Sequence, residues 1–150
     1  MRRRVVWLLA GVLLAAPSLG SDAPQEYDGA TFMTDGLQGS WLLIGKEFNG
    51  KAVDFVESVQ TFRNGKYTTK DKNGTTAGTY IIDASQTPAH LDEVPSEGPD
   101  TGRRRKTVYQ LDGNTLKKAA SPFWADQRPK SLDDKTSALV VIYTLKRVQK

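Results

Sequence analysis

Two Asn-Gly pairs, Asn64-Gly65 and Asn73-Gly74, constrain this chain more than any other feature, because each sits between short runs of alternating apolar and polar residues. A two-residue type I′ turn needs positive φ at both central positions, and Asn-Gly meets that need at little steric cost. Residues 56–63 (VESVQTFR), 66–71 and 76–82 are therefore expected to be consecutive antiparallel strands. Two-residue loops at 64–65 and 73–74 would set Phe62 opposite Tyr67 and Tyr67 opposite Tyr80, an aromatic row with Ile82 on the same face. Arg63, Lys66, Thr68, Lys70 and Thr79 fall on the other face. One dry and one wet face is the pattern of an antiparallel sheet laid over a core.

The same pattern extends along the chain. Further strands are expected at residues 40–48, 89–94, 104–111, 115–120 and 137–147, with Asp112-Gly113-Asn114 as a third tight turn. Residues 95–103 and 121–136 read as connections, and no segment keeps a helical period over about twelve residues. Eight short strands in about 110 residues suggest a barrel or a two-sheet sandwich. A closed barrel leaves no exposed edge strand. The expected fold is an all-β, eight-stranded, up-and-down antiparallel barrel over residues 37–150, whose interior can hold side chains or one small ligand.

Residues 1–20 read differently. Arg2, Arg3 and Arg4 precede an apolar run over 5–16, and Ser18-Leu19-Gly20 offers small residues for cleavage. This is the order of a secretory signal peptide, and the apolar run is shorter than the ~20 residues of a membrane span. Export to the periplasm or the extracellular space is the expectation, with no membrane span after cleavage and a polar tail over 21–36. Loss of the three arginines would leave 18 basic against 17 acidic residues, so the net charge falls from +4 to +1. A charge so near zero argues against nucleic acid as a partner. The chain has no Cys, which removes disulfides and thiolate metal sites.

Gly39 stands two residues before Trp41, where the first strand begins. A glycine there lets the backbone turn sharply, and Trp41 can then plug the base of a barrel. On the last strand Arg147 shares parity with Leu139, Val141, Tyr143 and Leu145. In a closed barrel that strand neighbours the first, so an Arg147–Trp41 stack worth roughly 0.5–2 kcal/mol is expected.

Gly39-x-Trp41, a β-barrel pattern and a late Arg together resemble the lipocalins. LQGSW (37–41), GTYIID (78–83), PAHLD (88–92), YQLDGNTLKKA (109–119), RP (128–129) and LKR (145–147) resemble more closely a family of exported lipocalin-like domains typical of planctomycete bacteria. The resemblance spans residues 35–148 or so and implies fold and export, not chemistry. That family usually carries Cys where this chain has Ala119, which argues against a thiol-dependent role.

Catalytic signals are sparse. His90 is the lone histidine, and with no Cys a zinc site would need carboxylates for most of its ligands. Asp92 and Glu93 are neighbours, so on a strand they face opposite sides. No nucleophile elbow, phosphate-binding glycine loop or His-Glu-x-x-His motif occurs. Arg103, Arg104, Arg105 and Lys106 read as a solvated loop running into a strand, and Asp112-Gly113-Asn114 as turn residues rather than a calcium loop. No catalytic residue, metal or cofactor is implied.

The remaining signals concern a pocket. Lys118 shares parity with Leu116, Leu111 and Tyr109, so it points inward and needs a partner or water. Phe123 and Trp124 lie in the long connection before the last strand. Strand direction puts that connection at the end opposite Trp41, so residues 121–136 are expected to hang over the mouth. Phe123 and Trp124 would cover it, with Tyr67 and Tyr80 below and Lys118 able to meet an anionic head group. The candidate binding residues are thus Phe62, Tyr67, Tyr80, Lys118, Phe123 and Trp124. The leading expectation is a module that binds a small apolar or amphipathic molecule. The alternative is a filled barrel serving as a structural or protein-interaction module, and an enzyme ranks third.

Overall fold

The computed structural model describes residues 36–134 and 139–149. The expected signal peptide and the tail up to residue 35 lie outside the described residues. Among the described residues nine strands follow one another: β1 (Gly39–Phe48), β2 (Lys51–Ala52), β3 (Ser58–Arg63), β4 (Lys66–Asp71), β5 (Gly74–Asp83), β6 (Ala89–Pro95), β7 (Arg105–Asp112), β8 (Thr115–Ala120) and β9 (Val141–Arg147). β1 and β3 to β9 pair in chain order, all antiparallel, and β1 pairs with β9 to close the sheet. The result is an eight-stranded lipocalin-like barrel carrying one extra short strand. Among the described residues there is no helix.

The extra strand comes from a third Asn-Gly pair. Asn49 and Gly50 both have positive φ (52° and 70°) and fold Lys51 back onto Phe48. The sequence reading passed over this signal. The Asn64-Gly65 turn forms as expected, with φ of 48° and 74°, and sets Phe62 opposite Tyr67.

The second turn differs. Asp71 pairs with Gly74, so the two loop residues are Lys72 and Asn73, not Asn73 and Gly74. Asp71 Oδ1 accepts the backbone N–H groups of Asn73 and Gly74, which locks the loop one residue earlier. The register therefore moves by two residues, and Tyr67 lies opposite Gly78 instead of Tyr80. A shift of two preserves the faces. Gly78 has room for the Tyr67 ring because it lacks a side chain; a Cβ there would lie 2.6 Å from Tyr67 Cε1 and 2.3 Å from the Val94 carbonyl oxygen. Phe62 still meets both tyrosines, at 6.4 Å from Tyr67 and edge-on at 5.1 Å from Tyr80.

The base is sealed by Trp41, which is fully buried. Its indole N–H donates to the Leu37 carbonyl at 2.8 Å. The Arg147 guanidinium lies 4.1 Å from its ring and donates to the carbonyl oxygens of Gln38 and Gly36. Gly39 has φ of 120°, and a Cβ there would lie 2.9 Å from Arg147 Nη1. The glycine thus supplies both the left-handed turn and the space for the stack.

Two apolar clusters form. The larger fills the lower barrel with Trp41, Phe62, Tyr80, Leu91, Leu116 and Leu145 among others. The smaller, made of Val108, Ala119, Val140 and Ile142 with Leu132 against it, lies on the outer surface of β7, β8 and β9. The connection after β8 creates it. Arg128 donates to the Thr107 carbonyl at 2.7 Å and pairs with Asp92 at 2.6 Å, Lys106 donates to the Asp126 carbonyl, and Lys117 pairs with Asp133 at 2.8 Å. The expectation that all of residues 121–136 hang over the mouth is therefore corrected. Phe123 stays at the mouth, whereas residues 126–133 fold back down the outside, where an apolar strip of β7–β9 needs cover.

Candidate functional site

One ring of side chains divides the barrel. Four strands show the change on their inward faces, two residues closer to the open end each time. Leu116 gives way to Lys118 on β8, Phe62 to Gln60 on β3, Leu91 to Glu93 on β6, and Leu145 to Tyr143 on β9. Arg105 joins them from β7. Below the ring the barrel is packed. Above it there is space.

Lys118, Glu93 and Gln60 form a closed triangle. Lys118 Nζ donates to Glu93 Oε1 at 2.9 Å and to Gln60 Oε1 at 2.7 Å, and Gln60 Nε2 donates to Glu93 Oε1 at 2.7 Å. Lys118 and Glu93 are 3% and 2% exposed, so this is a desolvated ion pair. Burial pushes the Glu93 carboxyl up. The Lys118 and Arg105 charges, with hydrogen bonds from Lys118 and Gln60, outweigh that and hold its pKa below the ordinary value. Glu93 is thus a carboxylate.

Arg105 is held more loosely. Its Nη2 donates to the Tyr143 hydroxyl at 2.6 Å, while Nη1 stands 4.0 Å from Glu93 Oε2. Neither Glu93 Oε2 nor Arg105 Nε has a hydrogen-bond partner. The guanidinium lies 5.0 Å from the Tyr143 ring and 5.3 Å from the Phe123 ring. Burial lowers the Arg105 pKa, but Tyr143 and Glu93 raise it further, so Arg105 keeps its charge. The Tyr67 hydroxyl is pushed up to about 12, first by burial and then by the Glu93 charge, with Arg105 opposing.

Two cavities open around this cluster. The outer one, about 280 Å³, lies at the mouth between Tyr67, Pro95, Pro99 and Phe123. The inner one, about 90 Å³, is a chamber walled by Ser58, Thr69, Arg105, Lys118 and Tyr143. Gln60, Thr69 and Arg105 line both.

The sequence-derived candidates separate into three groups. Tyr67 and Phe123 line the outer cavity and Lys118 the inner one. Phe62 and Tyr80 are buried in the packed lower half and form the floor. Trp124 is 65% exposed and lines neither cavity. Arg105 overturns the reading of residues 103–106 as one solvated run. Arg103 pairs with Asp100 at 3.4 Å and Arg104 with Asp92 at 3.6 Å on the outside, but Arg105 turns in.

Gln60, Glu93, Arg105 and Tyr143 were missed. The signal was present, since Glu93 shares parity with Leu91, Gln60 with Phe62 and Tyr143 with Leu145. Once Lys118 was read as inward, an acid of inward parity was its natural partner. Among the described residues, no three or more of His, Cys, Asp and Glu converge as a metal site would require. His90 sits on β6 between Asp83 and Val108, away from the cluster. No protein family, curated protein or solved structure compared with this chain gives a match.

Proposed function

We propose that this chain is an exported binding module that takes a small amphipathic molecule into the open half of its barrel. One observation carries the reading: an open cavity of about 280 Å³ stands directly above a sealed aromatic floor. Its volume lies just below the roughly 300–1,000 Å³ of small-molecule pockets, and its walls combine Tyr67, Pro95, Pro99 and Phe123 with converging charged and polar groups. The polar ring supports the same reading. A buried ion pair contributes little to stability compared with apolar side chains of similar volume. A barrel needing only to be filled could carry Leu or Met at 93, 105 and 118. The lipocalin-like motifs around Gly39 and Trp41, and the leader-like residues 1–20, support a place among exported lipocalin-like domains.

The test is titration with N-phenyl-1-naphthylamine, a neutral apolar probe whose emission rises on desolvation. Saturable micromolar binding, displaced by medium-chain amphiphiles, is expected. Absence of binding returns the chain to the filled-barrel, structural reading, which the packed lower half also suits. Export is tested separately by intact mass of the protein recovered from outside the cytoplasm. A mature chain beginning near Ser21 is expected, and retention of Met1 would exclude cleavage.

A further inference from the structure

We infer that the inner chamber is an anion site, which seats the carboxylate of an amphiphile head-down against Arg105 while the apolar part fills the outer cavity. This rests on the ligand-binding reading above and names the chemistry of its ligand.

Charge separates the two cavities. Both charged residues lining the inner chamber, Arg105 and Lys118, are cations. The outer cavity is lined by Glu93, Glu97 and Asp100 against Arg105 alone. An anion is therefore favoured at the bottom and disfavoured at the rim, which fixes the orientation. Glu93 neutralises only one of the two cations, so the cluster of buried Lys118 and Glu93 with part-exposed Arg105 carries one net positive charge. Lys46 adds to it from β1, with its Nζ 6.0 Å from the Tyr143 ring. The Arg105 side chain is 20% exposed, so this uncompensated charge faces the cavities, where an anion can meet it.

Hydrogen bonding singles out Arg105 as the anchor. Lys118 is already committed to Glu93 and Gln60. Arg105 makes one short bond, to Tyr143, and its Nε has no partner. Its Nη1 is 4.0 Å from Glu93, beyond hydrogen-bond reach. Nε is buried, so the donors left for a ligand are those of the Nη end, where only one short bond is made. Such paired N–H groups match the oxygens of a carboxylate. The Phe123 ring, 5.3 Å from the guanidinium, walls the route by which such a head group passes inward.

The experiment is calorimetric titration of the purified protein at pH 7 with octanoate, octanol and octyltrimethylammonium. Octanoate is expected to bind at least tenfold more tightly than octanol, and the ammonium amphiphile not measurably. Arg105→Gln should weaken octanoate at least tenfold more than it weakens octanol. Glu93→Gln, which removes the competing negative charge with little change of shape, should strengthen octanoate several-fold. Equal binding of octanoate and octanol would overturn the anion site while leaving the cavity as a ligand site. Binding of none of the three would overturn both. If Arg105→Gln fails to fold, Glu93→Gln decides: unchanged or weaker octanoate affinity overturns the inference.

Discussion

The same strands build two unlike half-barrels. Below the ring at Gln60, Glu93, Lys118 and Tyr143, the interior is dry and filled by large apolar side chains. At and above it, charged, amide and hydroxylated side chains enter the inward faces and two cavities remain. Backbone architecture does not cause the difference, because β3, β6, β8 and β9 each pass through both halves. The identity of one inward residue per strand does. The lower half resembles an ordinary protein interior, close-packed and intolerant of volume change. The upper half buries charge, which is justified energetically only when partners are in place. The lower half thus holds the fold, and the upper half is free to hold something else.

The strongest test of that division is truncation at the floor. Trp41→Ala removes a fully buried indole and should cost about 3–5 kcal/mol of unfolding free energy. Urea denaturation would measure it. Arg147→Ala should cost less, and a double-mutant cycle should show coupling between the two, because the guanidinium stacks on the indole at 4.1 Å. Additive effects would mean that Arg147 acts only through the carbonyl groups of residues 36 and 38 that it also binds.

The upper half should respond to charge rather than volume. Lys118→Met keeps much of the side-chain length but leaves the Glu93 carboxylate with the Gln60 amide and, as its nearest cation, the more distant Arg105, at a cost on the order of 3 kcal/mol. Adding Glu93→Leu should recover most of that loss, because both charges are then gone. The pH dependence follows from the direction of the Glu93 shift. Its pKa is lower folded than unfolded, so its contribution is fully present above the unfolded value, near 4.5, and is lost as pH falls through the folded value. The urea midpoint of the wild type should therefore fall on acidification below about pH 4.5, and that of Lys118→Met should fall less steeply. Identical acid profiles would remove the Lys118–Glu93 pair as a source of stability.

How much of this was legible in the sequence depended on whether a signal was local or cumulative. The Asn64-Gly65 turn, the Phe62–Tyr67 pairing and the strand sequence are local, and the barrel follows from them. The Asn73-Gly74 pair misled by two residues, since Asp71 supplies a side-chain cap that closes the loop earlier. Alternation along the first strand was broken by a bulge. Leu43 pairs with Leu145 and Gly45 with Thr144, so Ile44 is an extra residue. That bulge brings Lys46 opposite Tyr143, a placement no strict period of two can give. The polar ring was half legible. Inward parity at Lys118 was seen, but its partners sit on strands far away in sequence, and reading them requires the barrel's register. The path of residues 121–134 was the least legible part. It depends on Val108, Ala119, Val140 and Ile142 forming an outer apolar strip, which a one-sided reading of each strand does not reveal.

The finest test concerns two adjacent aromatics that the sequence treats alike. Phe123 and Trp124 both belong to the connection after β8, but only Phe123 lines the outer cavity and faces Arg105. Trp124 is 65% exposed, and the side chains walling the cavities do not include it. Trp124→Ala should therefore change stability by no more than about 0.5 kcal/mol, as is usual for surface positions, and leave probe affinity unchanged. Phe123→Ala should weaken binding of N-phenyl-1-naphthylamine several-fold. It should also cost less stability than Trp41→Ala, because its ring walls a cavity instead of filling the core. Titration of the two variants beside the wild type, with urea midpoints for each, separates the roles. If Trp124→Ala weakens binding as much as Phe123→Ala, then the exposed indole folds over the mouth when ligand arrives, and the open half has a mobile cover. If neither substitution affects binding, the probe enters elsewhere, and the contrast between a filled floor and a receptive mouth loses its functional meaning.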